Sequence, residues 1–322
     1  MKKLFCWTAL GLATVAALPA AAADYPQKPV TVLVGFPPGT STDSVARIIG
    51  EDLSKKWGQP VIVDNKPGVG GSLAVAQLKR SKPDGYTLAL SATAPLNINP
   101  QLNKQLNYDP LKDFTYITQT TWLPYMLVTT AKRPIASFEQ LKKAALANPD
   151  GLTYSTIGIG TTSHLLMEIL QERTGIKLRH IPYQGSSQSQ TDVISGNVDM
   201  TFDTVVSTMP HVKDGKLHAI AVSTAAPTPL APQVPSLQQQ GVPNFDVGAW
   251  LGFVAPAGTP DAVTQKLHAD IVATLQNPKV KQRLMDLGSE VVPSTAPQAF
   301  KQFVVDNHTM WGDVLKKVGV QQ

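Results

Sequence analysis

Two stretches of this 322-residue chain combine glycine, small hydroxylated side chains and one titratable residue in the same order. The first is Gly35-Phe-Pro-Pro-Gly-Thr-Ser-Thr-Asp43, the second Thr156-Ile-Gly-Ile-Gly-Thr-Thr-Ser-His164. Each follows an apolar run and precedes a segment with helical spacing, so each places small polar residues at a helix start. Free N–H groups there carry about half a positive charge and favour an anion. Glycine lets a ligand approach the main chain closely, and Ser/Thr hydroxyls donate to carboxylate oxygens. Each charge-assisted hydrogen bond contributes roughly 1.5–3 kcal/mol, so a few would hold a small carboxylate without Lys or Arg. The same residues also suit a plain strand–loop–helix junction, with Ser41 or Thr42 as the N-cap. Asp43 would repel a carboxylate unless it pairs with a ligand amine or orders the loop from below. His164 reads either as a packing or capping residue or as a ligand contact.

Other chemistries find no residues to carry them. Gly68-Val-Gly-Gly71 has Leu73 where a dinucleotide loop needs its third glycine, and no Gly-Lys-Ser/Thr follows for a P-loop. No G-x-S-x-G elbow occurs. The six histidines are dispersed and the single cysteine lies at position 6, so neither a zinc centre nor any other metal site or cofactor is expected. Asp199 and Asp203, four apart, suit the ends of a strand better than acid–base work. No nucleophile, base and oxyanion hole assemble, and the reading is of a protein that is not an enzyme. Lys and Arg are nowhere interleaved with aromatics in a run, which argues against a nucleic-acid partner.

The elements that must position the two loops follow from periodicity. Val30–Val34 is a β-branched run entering the first loop, and Ser44–Trp57 carries Val45, Ile48, Ile49, Leu53 and Trp57 on one helical side, stopped by Gly58. Strands are predicted at 60–64 and 86–90, with a helix at 73–79 between them. Ser137 with Gln140 forms a capping box for an Ala-rich helix. A strand at 152–156 enters the second loop, and a helix at 162–173 leaves it. Strands at 177–181, 198–202 and 219–222, a helix near 189–195, and helices at 261–275, 278–287 and 297–318 complete the pattern. Residues 224–244, dense in Pro, Gln and Gly, read as a surface connection. Alternating strands and helices predict an α/β fold in two lobes with largely parallel sheets.

Lys2-Lys3, the apolar run Leu4–Leu18 and Ala21-Ala22-Ala23 form the three parts of a secretory signal peptide over residues 1–23. The apolar run is too short to span a bilayer. Removing those 23 residues takes the net charge from +5 to +3 and leaves 299 residues without cysteine, indifferent to an oxidising compartment. A periplasmic location is expected.

Several further motifs recur in a known order. They are Tyr25-Pro26…Pro29-Val30, Phe36-Pro-Pro-Gly39 with Asp43, Val63-Asp-Asn-Lys-Pro-Gly-Val-Gly-Gly71 and Pro83-Asp-Gly-Tyr-Thr-Leu88. Asn99-Pro100 with Leu102, Gly158-x-Gly160 with His164, and Pro182-Tyr-x-Gly185 follow. Gly196-x-Val198-Asp199 with Phe202-Asp203, and Ala255-Pro-Ala-Gly-Thr-Pro260, complete the series. In these the chain resembles the extracytoplasmic solute-binding proteins of tripartite tricarboxylate transporters, the Bug or TctC-like family. The resemblance implies a type II periplasmic-binding-protein fold, with a ligand cleft between lobe one (24–124 plus 250–322) and lobe two (125–249). The lobes would be joined by crossings near 125–128 and 246–252.

It further implies a small organic acid as ligand, held by Phe36, Gly39, Thr40, Ser41, Thr42, Asp43, Ser91 and Thr93 from lobe one. Lobe two would add Thr156, Thr161, Thr162, His164, Tyr183 and Asp203. The implied partner is a tripartite tricarboxylate-type membrane permease; a membrane sensor of the loaded protein is the alternative, and an exported hydrolase a third reading. Thr40 stands where the family usually has glycine, and Gln184 where it often has lysine. Trp122 and Trp250, near the crossings, are expected in hinge packing, with stacking on an aromatic acid as the second role.

Overall fold

A computed structural model describes residues 25–318 apart from Pro134 and Gln184. The expected signal peptide and the Gln184 position lie outside the described residues. Eleven strands form two sheets among them.

The first sheet begins with β1 (Val30–Val34), α1 (Ser41–Trp57), β2 (Val61–Asn65), α2 (Ser72–Lys79) and β3 (Thr87–Ala92). β1 lies between β2 and β3, parallel to both. Val32 and Val34 fall in the core under α1 and α8 (Asp261–Gln276), while Leu33 faces Val75 and Leu78 of α2. A strand buried on both faces is what its unbroken β-branched run requires. A short π-helical turn (Ala94–Ile98) and α3 (Asn99–Leu102) lead to β4 (Phe114–Leu123).

The chain then changes sheets across one residue, Pro124. β5 (Tyr125–Thr130) belongs wholly to the second sheet, between β8 (Met200–Thr204) and β9 (Leu217–Val222). β6 (Thr153–Thr156) and β7 (Arg179–Pro182) complete that sheet in the order β7-β6-β8-β5-β9. α4 (Phe138–Ala147) and α5 (Thr162–Thr174) pack with the core on one side; α6 (Ser186–Ser195) and α7 (Val205–Lys213) cover Met126 and Val128 on the other. Beyond β9 the chain returns to the first sheet as β10 (Ala249–Pro256), antiparallel to β3 and β4. α8, α9 (Pro278–Asp286), β11 (Glu290–Val291) and α10 (Pro297–Val318) follow.

Four expectations change. Five of the nine strand pairings are antiparallel, so the sheets are mixed rather than largely parallel. The first helix starts at Ser41, not Ser44, because its N-cap is Thr40 rather than Ser41 or Thr42. α6 likewise starts at Ser186, three residues early, behind Gly185. The stretch 224–244 is no simple surface connection: Ala231, Val234, Leu237 and Val242 are buried along it, and Phe245 just beyond stacks on Phe202 with ring centroids 6.0 Å apart. Among the described residues no helix is long and apolar enough to cross a membrane.

Candidate ligand-binding site

Strand direction fixes where the loops lie. β1 and β3 are parallel, and β4 runs with them because β10 is antiparallel to both β3 and β4. In the second sheet β6, β7 and β8 are parallel, while β5 runs against β8 with Tyr125 opposite Thr204. The link at Pro124 therefore joins the edge where β1, β3 and β4 end to the edge where β6, β7 and β8 end. Carboxyl edges of parallel strands are where open α/β sheets bind ligands. The loops after β1 and β3 lie on one side of Pro124, and those after β6, β7 and β8 on the other.

The loop after β1 is tied by side chains beneath it. Thr40 caps α1: its hydroxyl accepts from Asp43 N at 3.5 Å and donates to the Pro37 carbonyl at 2.8 Å. Asp43 Oδ2 accepts from Gly39 N at 2.9 Å and Arg47 Nε at 3.0 Å, and its Oδ1 accepts from Asn65 Nδ2 at 2.9 Å. Burial alone would raise the Asp43 carboxyl, but the bonds from Arg47, Gly39 and Asn65 outweigh it and hold it below the usual range. Asp43 is buried and saturated, so it orders the loop from below. Gly39, at φ 82°, makes the left-handed turn that brings its N–H onto that carboxylate.

Phe36 is half-buried; its carbonyl accepts from Asn65 Nδ2 at 3.0 Å. Ser41 and Thr42 form the first turn of α1, Ser41 half-exposed and Thr42 buried. Gly35 touches Gly71 so closely that a Cβ there would lie 2.5 Å from the Gly71 carbonyl oxygen, which locks the first loop to Gly68–Gly71.

The loop after β6 repeats the plan. Thr161 caps α5, accepting from His164 N at 3.4 Å and donating to the Gly158 carbonyl at 2.7 Å. His164 Nδ1 accepts from Gly160 N at 3.2 Å. The ring stacks on His180 at 4.3 Å, and His180 stacks on Tyr154 at 4.8 Å. His180 Nε2 lies 2.7 Å from the Thr156 hydroxyl, which also meets Gly158 N at 3.3 Å. Burial pushes both imidazoles down to about 4, and His164 adds to the fall at His180, so both rings are neutral near pH 7. His180 was not legible as a site residue; only its aromatic contact across 16 positions of chain reveals it.

The remaining expected residues divide between the two edges. Ser91 is buried opposite Gly252 of β10, and the Thr93 hydroxyl accepts from Trp250 N at 2.8 Å. Thr162 meets the Tyr125 hydroxyl, which also feels the Asp203 carboxylate, bringing together the ends of α5, β5 and β8; Tyr125 is a second residue the sequence reading placed only in a crossing. Burial raises the Asp203 carboxyl above the usual range against bonds from Gln190, Ser186, Thr204 and Ser207. Gln190 and Ser207 also line a cavity of about 360 Å³ between α6 and α7. Tyr183 turns its hydroxyl onto Asp192, and burial with that carboxylate pushes it up to about 12.

Trp250 is fully buried, edge-on to Phe300 and Phe303, so it packs beneath the sheet and cannot stack on a solute. Trp122 is half-buried opposite it across β4 and β10. Among the described residues no three His, Cys, Asp or Glu side chains gather as a metal site.

Residues 45–320 match the sequence profile of the tripartite tricarboxylate transporter family receptor. Protein BugT of Bordetella pertussis is 31% identical over 323 residues, spanning 100% of this chain and 99% of its own. The solved structure of R. palustris Rpa4515 with adipate superposes with a TM-score of 0.84 at 29% identity, covering 92% of this chain and 99% of that one. MatC from Rhodopseudomonas palustris with bound malate gives 0.79 at 31% identity, covering 90% and 100%. With a family profile over most of its length, a full-length relative and two-lobed neighbours of matching fold, the chain belongs to the tripartite tricarboxylate transporter receptor family of periplasmic solute-binding proteins.

Proposed function

We propose that the chain captures a small organic carboxylate (di-, tri- or aromatic) between two lobes and delivers it to a tripartite tricarboxylate-type membrane permease. Lobe one is residues 24–124 plus 250–322 and lobe two 125–249, with export by the signal peptide at 1–23. The observation that carries the reading is the repeated loop: Gly39-Thr40 and Gly160-Thr161 have the same threonine cap and each glycine N–H is latched by the side chain four residues on, one loop on each side of Pro124. Two N–H-rich helix starts suit an acid with charge at both ends, and the solved relatives hold adipate in one case and malate in the other. The contacts assigned to the ligand are Phe36, Gly39, Thr40, Ser41, Thr42, Ser91 and Thr93 from lobe one. From lobe two they are Thr156, Thr161, Thr162 and Tyr183, with Asp43, His164 and Asp203 shaping the seats.

A ligand touching both lobes stabilises the closed form by its differential affinity for it. Titration calorimetry against adipate, malate, citrate and benzoate tests the reading. Saturable 1:1 binding of one of them, weakened by a bulky residue at either Thr42 or Thr161, is the expected result. Binding to one lobe alone, indifferent to both substitutions, would overturn it. Delivery is tested separately: deleting the gene should abolish uptake of that acid rather than only a transcriptional response to it.

A further inference from the structure

The two loops use different side chains for the same task. Gly39 N–H is held by a carboxylate, Asp43 Oδ2 at 2.9 Å; Gly160 N–H is held by a ring nitrogen, His164 Nδ1 at 3.2 Å. Both acceptors stand four residues after the glycine, and both glycines have positive φ, 82° and 75°. A ring nitrogen that accepts carries no proton, so His164 is the neutral imidazole with its hydrogen on Nε2. That nitrogen faces Glu168 Oε1 of α5 at 3.8 Å.

The remaining groups around the ring keep it in this state. His180 of β7 covers one face at 4.3 Å and 16°. Tyr154 of β6 backs His180 at 4.8 Å and donates to Glu168 Oε1 at 2.5 Å. Gln171 Nε2 donates to the same oxygen at 2.9 Å. His180 in turn fixes the Thr156 hydroxyl, so the stack holds both ends of the loop that runs from Thr156 to Thr161.

We propose that His164 is a positioning residue for lobe-two ligand binding: it acts solely as a hydrogen-bond acceptor, fixing the Gly160 N–H so that the N–H of Ile159 and those of the first turn of α5 are aimed at the ligand, and His180 holds its ring for that purpose. The inference rests on the carboxylate-binding reading above. It makes positions 43 and 164 one part built in two chemistries, of which only the imidazole fails on protonation. A proton on Nδ1 would set two N–H groups against each other at Gly160 and open the seat. With the His164 pKa near 4, the failure lies on the acid side of neutrality.

Two measurements test it, one of them without ligand. The imidazole ¹⁵N spectrum of the free protein should show His164 as the Nε2–H tautomer at pH 7; a proton on Nδ1 overturns the inference whatever the protein binds. Calorimetry with adipate and malate then compares wild type with H164A, H164N and H180F. Removing the acceptor in H164A should weaken binding about tenfold, the value of one hydrogen bond. H164N, which restores an acceptor, should recover to within about threefold of wild type, the scale of context variation around one such bond.

H180F, which keeps the stack but frees Thr156, should weaken binding while leaving the His164 tautomer unchanged. The wild-type to H164N affinity ratio cancels the ligand's own protonation and should fall as the pH drops from 6 toward 4. H164A binding as well as H164N, or a flat ratio, overturns the inference. Wild type binding neither acid nor any other carboxylate would instead overturn the functional reading and leave the tautomer result to decide this one.

Discussion

Thr40 and Thr161 are the same residue in two copies of one loop, 121 positions apart. Their backbones agree within a few degrees, φ −72° and ψ 162° against φ −76° and ψ 161°. Each hydroxyl donates to the carbonyl three residues back and accepts from the N–H three residues on. A glycine at position 40 could supply neither bond, so threonine there stiffens the loop at no conformational cost, its φ being negative.

The first prediction follows from those caps. T40V and T161V keep shape but lose the acceptor, and each should lower stability by about 1 kcal/mol in urea denaturation. T161V should also weaken carboxylate binding if the proposed site holds the ligand, because the displaced turn leads into the helix start assigned to it. T161S should restore both; a serine variant as weak as valine would show that the methyl group, not the hydroxyl, matters.

Asp43 supplies a second. It joins Gly39, Arg47 and Asn65, and it is almost fully buried. D43A should cost about 2–3 kcal/mol, since it removes the charged acceptor that Gly39 N and Asn65 Nδ2 share. Arg47 is half-exposed and keeps its hydration, which caps the loss. D43N retains an oxygen for Gly39 and should fall between wild type and D43A. Equal stability of D43A and wild type in denaturant titration would contradict the latch.

Both loops could be read from sequence because they are local: glycine, threonine and an acceptor lie within five residues. The cap of α1 could not, because Thr40, Ser41 and Thr42 stand in a row and each could accept the bond. β1 was legible from its β-branched run. β4 was not, because Thr118, Gln119, Thr120 and Thr121 are all buried yet polar, so no apolar rhythm marks the strand. Long-range partners meet part of that polarity, with Thr120 Oγ1 donating to the Leu251 carbonyl at 3.1 Å and Gln119 N to Ser294 Oγ at 3.2 Å, while Thr121 Oγ1 is buried without a partner. α7 was hidden by Pro210 inside it. His180 and Tyr125 escaped because what makes them part of the site is contact across the fold, which no spacing reports.

The histidine stack makes stability pH-dependent with a definite sign. Both rings have folded pKa values near 4, below the ordinary value of about 6.5 in an unfolded chain. On acidification the unfolded chain takes up protons first, so the contribution is intact above about pH 6.5 and is lost as the pH falls toward 4. For His164, buried but not sealed from solvent, the loss is at most on the order of 3 kcal/mol. Urea midpoints should fall over that window, and H164N should fall less steeply; parallel curves would place the titration elsewhere.

The last prediction concerns how binding can be watched. Trp250 has no solvent exposure, and its Nε1–H is buried without a partner. An unpaired buried donor is a cost that phenylalanine removes, at the expense of a smaller ring against Phe300 and Phe303. These terms oppose each other, so W250F should change stability by less than the roughly 3–5 kcal/mol of a full truncation. Because the ring touches no ligand, W250F should leave carboxylate affinity within about twofold, well inside the tenfold that one lost hydrogen bond represents. Trp122 is half-buried next to the Pro124 link and Gly248, where a Cβ would come within 2.8 Å of its ring. The proposed closure about that link would shift its surroundings, so a ligand-induced fluorescence change should persist in W250F and vanish in W122F. A signal that follows Trp250 instead would mean that the sheet beneath the seats repacks on binding.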